Sequence, residues 1–171
     1  MQIDLYKKAF EAYFSDNVNV KIAEGVAFLR NAERLWFIGN GGSSAICSHM
    51  MEDFMKIARI PTLSFTDPAL ITCFANDYGY ENAMAEWVSF NFQSGDVLVA
   101  ISSSGESKNI LNAVDRFAEK GGKVMTLSGF KQGNALSEKG DLNFHIAEEN
   151  YGVVECFHQV ILHAILDEIA L

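Results

Sequence analysis

The sequence predicts an α/β protein in which helices cover both faces of a parallel sheet. Five short, continuously apolar segments alternate with segments of helical periodicity, which is the pattern of parallel strands buried on both faces. Glycine- and serine-rich loops follow two of these segments. At 171 residues the chain can bury a sizeable core. We therefore expect one domain that spans residues 1–171.

Residues 1–32 are predicted to form two helices. Apolar side chains recur at helical spacing over residues 3–14 and again over residues 22–29, and the polar residues 15–17 separate the two segments. Many of these side chains are aromatic, and a single domain would have difficulty covering them all. We expect this region to pack against a second copy of the chain, and residues 33–171 to form the α/β core.

The core is predicted to alternate strands and helices to the end of the chain. Strands are expected at residues 35–38, 61–65, 97–101, 123–128 and 142–146. Helices are expected at residues 43–57, 68–76, 80–92, 107–119, 133–138 and 152–170.

Charge and composition exclude several classes of partner. The formal net charge is −9, with too few Lys and Arg residues for a basic face, so we expect no direct nucleic-acid binding and no attachment to an anionic membrane. No apolar run is long enough for a transmembrane helix, and the first residues lack the apolar core of a signal peptide. Cys47, Cys73 and Cys156 are isolated in apolar stretches, which indicates reduced core thiols in a cytoplasmic protein.

Two loops after strands carry the residues expected to bind a ligand. Ligands of open α/β sheets bind beyond the carboxyl ends of the strands. Glycines in the first loop would allow close backbone approach, and the second loop offers hydroxyl groups at the start of a helix, where an anion is favoured. The candidates are Asn40, Gly41, Gly42 and Ser43 in the first loop, and Ser102, Ser103, Ser104 and Ser107 in the second.

Loops of this composition also occur in other structural and binding roles. Ordinary turns and helix caps use the same residue types. A dinucleotide site is disfavoured because Ser44 stands where the third glycine of that motif would be, and a P-loop is excluded because its Gly-Lys-Ser/Thr ending is missing. Together the two loops predict a site for a phosphate and the hydroxyl groups of a sugar, with no nucleotide cofactor.

Polar side chains on two helices are the candidates for acid–base chemistry. His49 and Asp53 are four residues apart, so they could reach one point as an acid–base pair or as metal ligands, although a solvated polar stripe has the same spacing. In the last helix Glu155, His158 and Gln159 share one stripe, and a structural histidine with a satisfied partner is the alternative. A di-iron bundle site would need a second Glu-x-x-His, and a serine nucleophile would need a Gly-x-Ser-x-Gly elbow. The sequence has neither motif, so both kinds of site are disfavoured.

Together, the motifs resemble the sugar isomerase (SIS) domain family. The resemblance is carried by Gly39-Asn40-Gly41-Gly42-Ser43, His49-x-x-Glu52-Asp53, Ala75-Asn76-Asp77-Tyr78-Gly79 and Ile101-Ser102-Ser103-Ser104-Gly105-Glu106-Ser107, and it extends from about residue 3 to the end of the chain. Within the family the chain is most similar to the phosphoheptose isomerase subgroup. The resemblance implies a three-layer α/β/α sandwich with about five parallel strands, and a homotetramer with sites at the subunit interfaces.

The resemblance also implies roles for individual residues. The serine loop (Ser102, Ser103, Ser104 and Ser107) would bind the phosphate, and Asn40, Ser43 and Asp77 would contact the sugar. His49 and Asp53 match active-site positions at which some members bind zinc, although the family has Glu where this chain has Asp53. The family also has a Gln and, eight residues later, a catalytic His in the last helix. Read without gaps from Gly152, His158 takes the first of these positions and Leu166 the second, so that His158 or His163 would have to substitute.

We therefore expect an aldose–ketose isomerase that acts on a phosphorylated sugar, with sedoheptulose 7-phosphate as the substrate and an enediol on the path. Asp53 or Glu155 would be the base and His158 the acid or proton shuttle. Zinc would be held by His49, Asp53 and His158. The alternatives are a phosphosugar-binding regulator or assembly protein without catalysis, and an isomerase of another sugar phosphate.

Overall fold

A computed structural model describes residues 3–14 and 17–171 of the chain, so Ser15 and Asp16, which were predicted to interrupt the N-terminal helices, lie outside the described residues. The elements in order are α1 (Ile3–Tyr13), α2 (Asn17–Leu29), β1 (Arg34–Gly39), α3 (Gly42–Lys56), β2 (Thr62–Ser64), α4 (Pro68–Tyr78), α5 (Ala83–Asn91), β3 (Asp96–Ser102), α6 (Lys108–Glu119), β4 (Lys123–Gly129), β5 (Leu142–Ile146) and α7 (Tyr151–Ala170).

The five strands form one parallel sheet in the order β2-β1-β3-β4-β5. The predicted α/β fold with a parallel sheet is therefore confirmed, and each of the five apolar runs is a strand. Gly39 pairs with Ile101 in the register of β1 and β3, so these two strands end side by side. At the other end of the same pair, Arg34 makes two hydrogen bonds to the buried carboxylate of Asp96, at 2.9 and 2.6 Å, and so joins the starts of the strands.

Helices cover both faces, which gives three layers. One apolar core lies between the sheet and α1, α2, α3 and α7, and the other lies between the sheet and α4, α5 and α6. The N-terminal helices pack on α7 of the same chain: Phe10 stacks on Phe157 with ring centroids 4.3 Å apart, and Tyr13 and Phe14 also contact that ring. These aromatic side chains of the N-terminal region are therefore partly buried by contacts within the same chain.

Two predictions about local structure were wrong. Residues 133–138 form a series of turns instead of a helix, because Gly133 has φ of 70° and the buried Asn134 side chain bonds to backbone groups around it. Of the three cysteines, only Cys47 is buried, whereas Cys73 and Cys156 are exposed. None of the helices in residues 3–14 and 17–171 is both long and apolar enough to span a bilayer.

Candidate functional site

The two predicted loops meet at a cavity of about 340 Å³ at the carboxyl ends of β1 and β3. It is lined by Asn40, Gly41, Gly42, Ser43, Ile101, Ser102, Ser103, Ser104, Ser107, Tyr151 and Glu155. Every candidate that the sequence placed in the two loops therefore lies in this lining. No lysine or arginine is among the described residues that line the cavity, so its donors to an anion are hydroxyl, amide and backbone N–H groups.

The first loop turns sharply from β1 into α3. A side chain at Gly39 would meet backbone atoms of Ser43 at 2.8 Å, and Gly41 has φ of 55°, which side chains disfavour. The glycines therefore permit a turn that brings the N-terminus of α3 to the cavity, where its unpaired N–H groups favour an anion.

The second loop is organised by its own serines. Ser102 Oγ lies 3.2 Å from Ser107 Oγ and accepts a hydrogen bond from the N–H of Gly105 at 3.2 Å. Ser107 caps α6 without a hydrogen bond from its side chain to the helix. The hydroxyl of Ser103 is buried and has no hydrogen-bond partner within the described residues. An unpaired buried hydroxyl at a cavity is available to a ligand.

The turns of residues 131–140 support the serine loop from behind. Leu136 N donates to the carbonyl of Gly105 at 2.9 Å, and Ala135 N donates to the carboxylate of Glu106 at 3.1 Å. Asn134 donates to the carbonyl of Gly129 at 3.0 Å and fills the space next to Gly105 where a side chain would begin. The sequence does not reveal this support, because Asn134 bonds to the backbone of its own turn and meets the serine loop through packing against Gly105.

Asn40 is held by two residues that the sequence analysis did not select. Its amide pairs with that of Asn109 through two hydrogen bonds of 2.9 Å, and Tyr80 Oη donates to Asn40 Oδ1 at 2.9 Å. Asp77, predicted to contact the sugar, is exposed, does not line the cavity and accepts a hydrogen bond from Asn76. Within the segment of Asp77, Tyr80 is the residue that contacts the cavity lining, through its hydrogen bond to Asn40.

Glu155 brings a carboxylate to the cavity from the first turns of α7. Both of its carboxylate oxygens occupy the space where a Cβ atom on Gly42 would stand. The absence of a side chain at Gly42 thus allows the carboxylate to approach the N-terminus of α3. Among the described residues that line the cavity, Glu155 is the one that carries a charge.

His158 does not lie where its predicted roles require it. The side chain is fully buried, and its Nε2–H donates to the carbonyl of Ser128 at 3.1 Å. Burial is the main cause that lowers the pKa of His158 to about 4; the neighbouring His145 contributes in the same direction, and the hydrogen bond to Ser128 opposes it. The structure thus corrects the assignment of His158 as proton shuttle and metal ligand, because its ring faces β4 and neither α3 nor the cavity.

The polar stripe of α7 that faces α3 is Glu155, Gln159 and His163. Gln159 reaches Met50 in the middle of α3, with 2.9 Å between Nε2 and Sδ. One turn further along α7, His163 Nδ1 lies 4.0 Å from Asp53 Oδ2. Glu155 and His163 are eight residues apart, the spacing that the family resemblance implies for a Gln and a catalytic His.

His49, Asp53 and His163 form a cluster of potential metal ligands. His49 Nε2 lies 3.2 Å from Asp53 Oδ2, and one ligand atom from each of the three residues lies within 4.8 Å of the others. His49 is half exposed, whereas Asp53 is largely buried. The cluster lies about 12 Å along α7 from Glu155, at two helical turns. Two imidazole nitrogens and a carboxylate that leave a position open are a donor set that fits Zn²⁺.

Comparison with known proteins identifies relatives of the chain. A family model described as the SIS domain matches residues 5–129. A phosphoheptose isomerase of Fusobacterium nucleatum is 32% identical over 97% of this chain and 88% of its own length. One from Campylobacter concisus is 33% identical over 92% of this chain and 89% of its own length. The solved structure of the phosphoheptose isomerase of Neisseria gonorrhoeae superimposes with a TM-score of 0.87 at 24% identity, and the match covers 98% of this chain and 94% of that one.

Proposed function

Because the chain belongs to the SIS domain family, we propose that it interconverts sedoheptulose 7-phosphate and heptose 7-phosphate. The reaction is an aldose–ketose isomerisation of a phosphorylated sugar. The observation that carries the proposal is the meeting of two hydroxyl- and amide-bearing loops at one cavity, with two helix N-termini directed at it. Such a site binds a phosphate monoester and sugar hydroxyls without a cationic side chain.

The phosphate is assigned to the serine loop. The free hydroxyl of Ser103 and the first N–H groups of α6 are donors there, and Ser107 adds a hydroxyl group that makes no capping bond. Asn40 and Ser43 on the opposite side of the cavity are assigned to the sugar. Glu155 lies in the first turns of α7 and lines the cavity together with the two loops. Its carboxylate can accept hydrogen bonds from sugar hydroxyls.

The isomerisation needs a base that removes a proton from one carbon and returns it to the next, and a second group that moves a proton between the two oxygens. We assign the first role to Asp53 of α3 or Glu155 of α7, whose carboxylates both lie where these two helices meet. The second role falls to His163, because an imidazole both donates and accepts protons near neutral pH. Asp53 lies within 4.0 Å of His163, so the two groups can act on one substrate.

The same cluster could instead hold a metal: His49, Asp53 and His163 would bind a zinc ion. In that case Glu155 is the carboxylate left free to act as the base. When bound, the metal supplies Lewis-acid polarisation of a substrate oxygen. The carboxylate of Asp53 then has to orient His49 and to balance the charge of the cluster. Glu52, which precedes it, is exposed and is left outside the proposed site.

The direct test is proton exchange followed by NMR. The protein is incubated in D₂O with sedoheptulose 7-phosphate, fructose 6-phosphate and an amino-sugar phosphate, each with and without a chelator. We expect deuterium at the carbon next to the carbonyl and formation of the aldose with the heptulose phosphate alone. Binding that stabilises the protein with no exchange for any sugar would instead favour a phosphosugar-sensing module. Exchange with another sugar alone would reassign the substrate.

We further propose a single domain over residues 1–171, assembled into a homo-oligomer, as a tetramer, in the cytoplasm. The cysteines are all free, as expected in a reducing compartment. Phe90 and Tyr78 are exposed neighbours, with ring centroids 6.4 Å apart, and form the kind of apolar surface that a partner subunit covers. Light scattering of the purified protein should give four times the mass of one chain, and a monomer would contradict this proposal.

A further inference from the structure

The amide groups of Asn40 and Asn109 form a closed pair beneath the cavity. Asn40 Nδ2 donates to Asn109 Oδ1, and Asn109 Nδ2 donates to Asn40 Oδ1, each at 2.9 Å. Asn40 lies in the loop after β1, and Asn109 is the second residue of α6, which follows the serine loop. The pair therefore ties together the two loops that form the cavity.

The surroundings of the pair select one orientation of both amides. Asn109 is 3% exposed, and its Nδ2 also faces the sulfur of Met84 at 3.8 Å. A thioether sulfur accepts hydrogen bonds and cannot donate one. The NH₂ group of Asn109 therefore belongs on the side of Met84, which leaves its Oδ1 to accept from Asn40.

The hydrogen-bonding capacity of Asn40 is then nearly used up. Its Oδ1 accepts from Asn109 and from the hydroxyl of Tyr80, which fills both lone pairs. Its NH₂ group gives one N–H to Asn109 and keeps the other. Since Asn40 lines the cavity, the group it can offer to a ligand is a donor and not an acceptor.

We propose that Asn109 is a positioning residue that acts with Tyr80 to hold the Asn40 amide as a hydrogen-bond donor toward an oxygen of the bound sugar phosphate. The inference rests on the proposed function, because it concerns how that site recognises its ligand. An amide free to rotate would present its carbonyl oxygen half of the time and repel a phosphate or deprotonated hydroxyl oxygen. Fixing it removes that state and lowers the entropy lost on binding.

The test is a double-mutant cycle on sedoheptulose 7-phosphate turnover. Asn109→Ala and Tyr80→Phe are each made in the natural chain and in Asn40→Ala. We expect Asn109→Ala to raise KM by about 10-fold and Tyr80→Phe by about 3-fold, with kcat within about 2-fold, as expected for loss of one hydrogen bond in binding. In the Asn40→Ala background, neither change should raise KM further by more than about 2-fold.

Asn143→Ala is the matched control, since Asn143 is a half-buried asparagine that bonds to Thr126 away from the cavity. It should leave KM unchanged in both backgrounds. Equal increases in KM with and without the Asn40 side chain would overturn the inference, as would a fall in kcat alone. Tyr80 is exposed, so Tyr80→Phe keeps the test open if Asn109→Ala does not fold. If the unmodified protein neither turns over nor binds the sugar phosphate, the proposed function fails, and the inference fails with it for that separate reason.

Discussion

The carboxylate of Glu155 fills the space beside Gly42 in which a side chain would begin. The two residues come from α7 and α3, and they bring a negative group to the first turn of α3 at the edge of the cavity. The present position of the Glu155 carboxylate therefore depends on a glycine here, although the backbone angles of Gly42 are open to other residues.

Gly42→Ala should displace the Glu155 carboxylate and lower kcat/KM by at least about 10-fold, because the end of a flexible side chain moves more cheaply than the backbone. Steady-state kinetics would measure the loss. In a Glu155→Ala background the same substitution should cost nothing further, because the space is then empty. Equal losses in both backgrounds would show that Gly42 serves the backbone instead.

Removal of the proposed acid–base groups should abolish turnover while the sugar phosphate still binds. We expect Asp53→Asn and His163→Ala each to lower kcat by about 10²–10⁴-fold, the range for loss of a general acid or base. Calorimetric titration with sedoheptulose 7-phosphate would monitor binding. His158→Gln, which keeps a donor for the Ser128 carbonyl, should retain most of the activity. A larger loss from His158→Gln than from His163→Ala would return the role to His158.

Ser103→Ala should weaken binding of phosphate esters by about 10-fold or more, because a hydrogen bond to a charged group is lost. Competitive inhibition by inorganic phosphate would measure the effect at the phosphate position alone. Ser64→Ala is the control, since Ser64 bonds to Thr66 on the other side of β1 from the serine loop. An unchanged inhibition constant for Ser103→Ala would remove this serine from the phosphate site.

Acid should destabilise the protein through His158. Burial lowers its pKa from 6.5 to about 4, so between these values the unfolded chain binds a proton that the folded chain does not. The free energy of unfolding should fall as the pH drops from 6.5 towards 4, by an amount on the order of 3 kcal/mol at most. His145 acts in the same direction, since burial and the nearby Lys21 lower its pKa.

Urea unfolding at a series of pH values would measure this slope. His158→Gln should flatten it between pH 6.5 and 4, and the remaining slope should come from His145 and the carboxylates. An identical slope in the variant would mean that His158 is not the residue that senses acid.

The apolar strands and the two ligand loops were predictable because each depends on a local pattern. β1 and β3 are continuous apolar runs, and the polar loops follow them directly, so their meeting at one sheet edge follows from the parallel topology. Asn109 and Tyr80 carry no such pattern. They become part of the site only through contacts across the fold with Asn40.

The last helix shows where periodicity alone is insufficient. At about 100° per residue, His158 and His163 lie roughly 60° and 80° to opposite sides of Glu155. From the sequence alone, either the side of the helix that carries His158 or the side that carries His163 could face the core. The packing of α7 on the sheet determines which side is buried: His158 lies against β4, and His163 lies beside Asp53.

A single rigid helix carries both Glu155 at the cavity and His163 at the ligand cluster. The interval between them cannot adapt to the molecule that binds, since it is set by two turns of hydrogen-bonded backbone. In the proposed site, a compound anchored by its phosphate at the serine loop has to extend a carbon skeleton of matching length before its carbonyl end meets the imidazole of His163. Helix α7 would thus set a minimum length for the sugar phosphate, and phosphorylated trioses would be too short to reach His163.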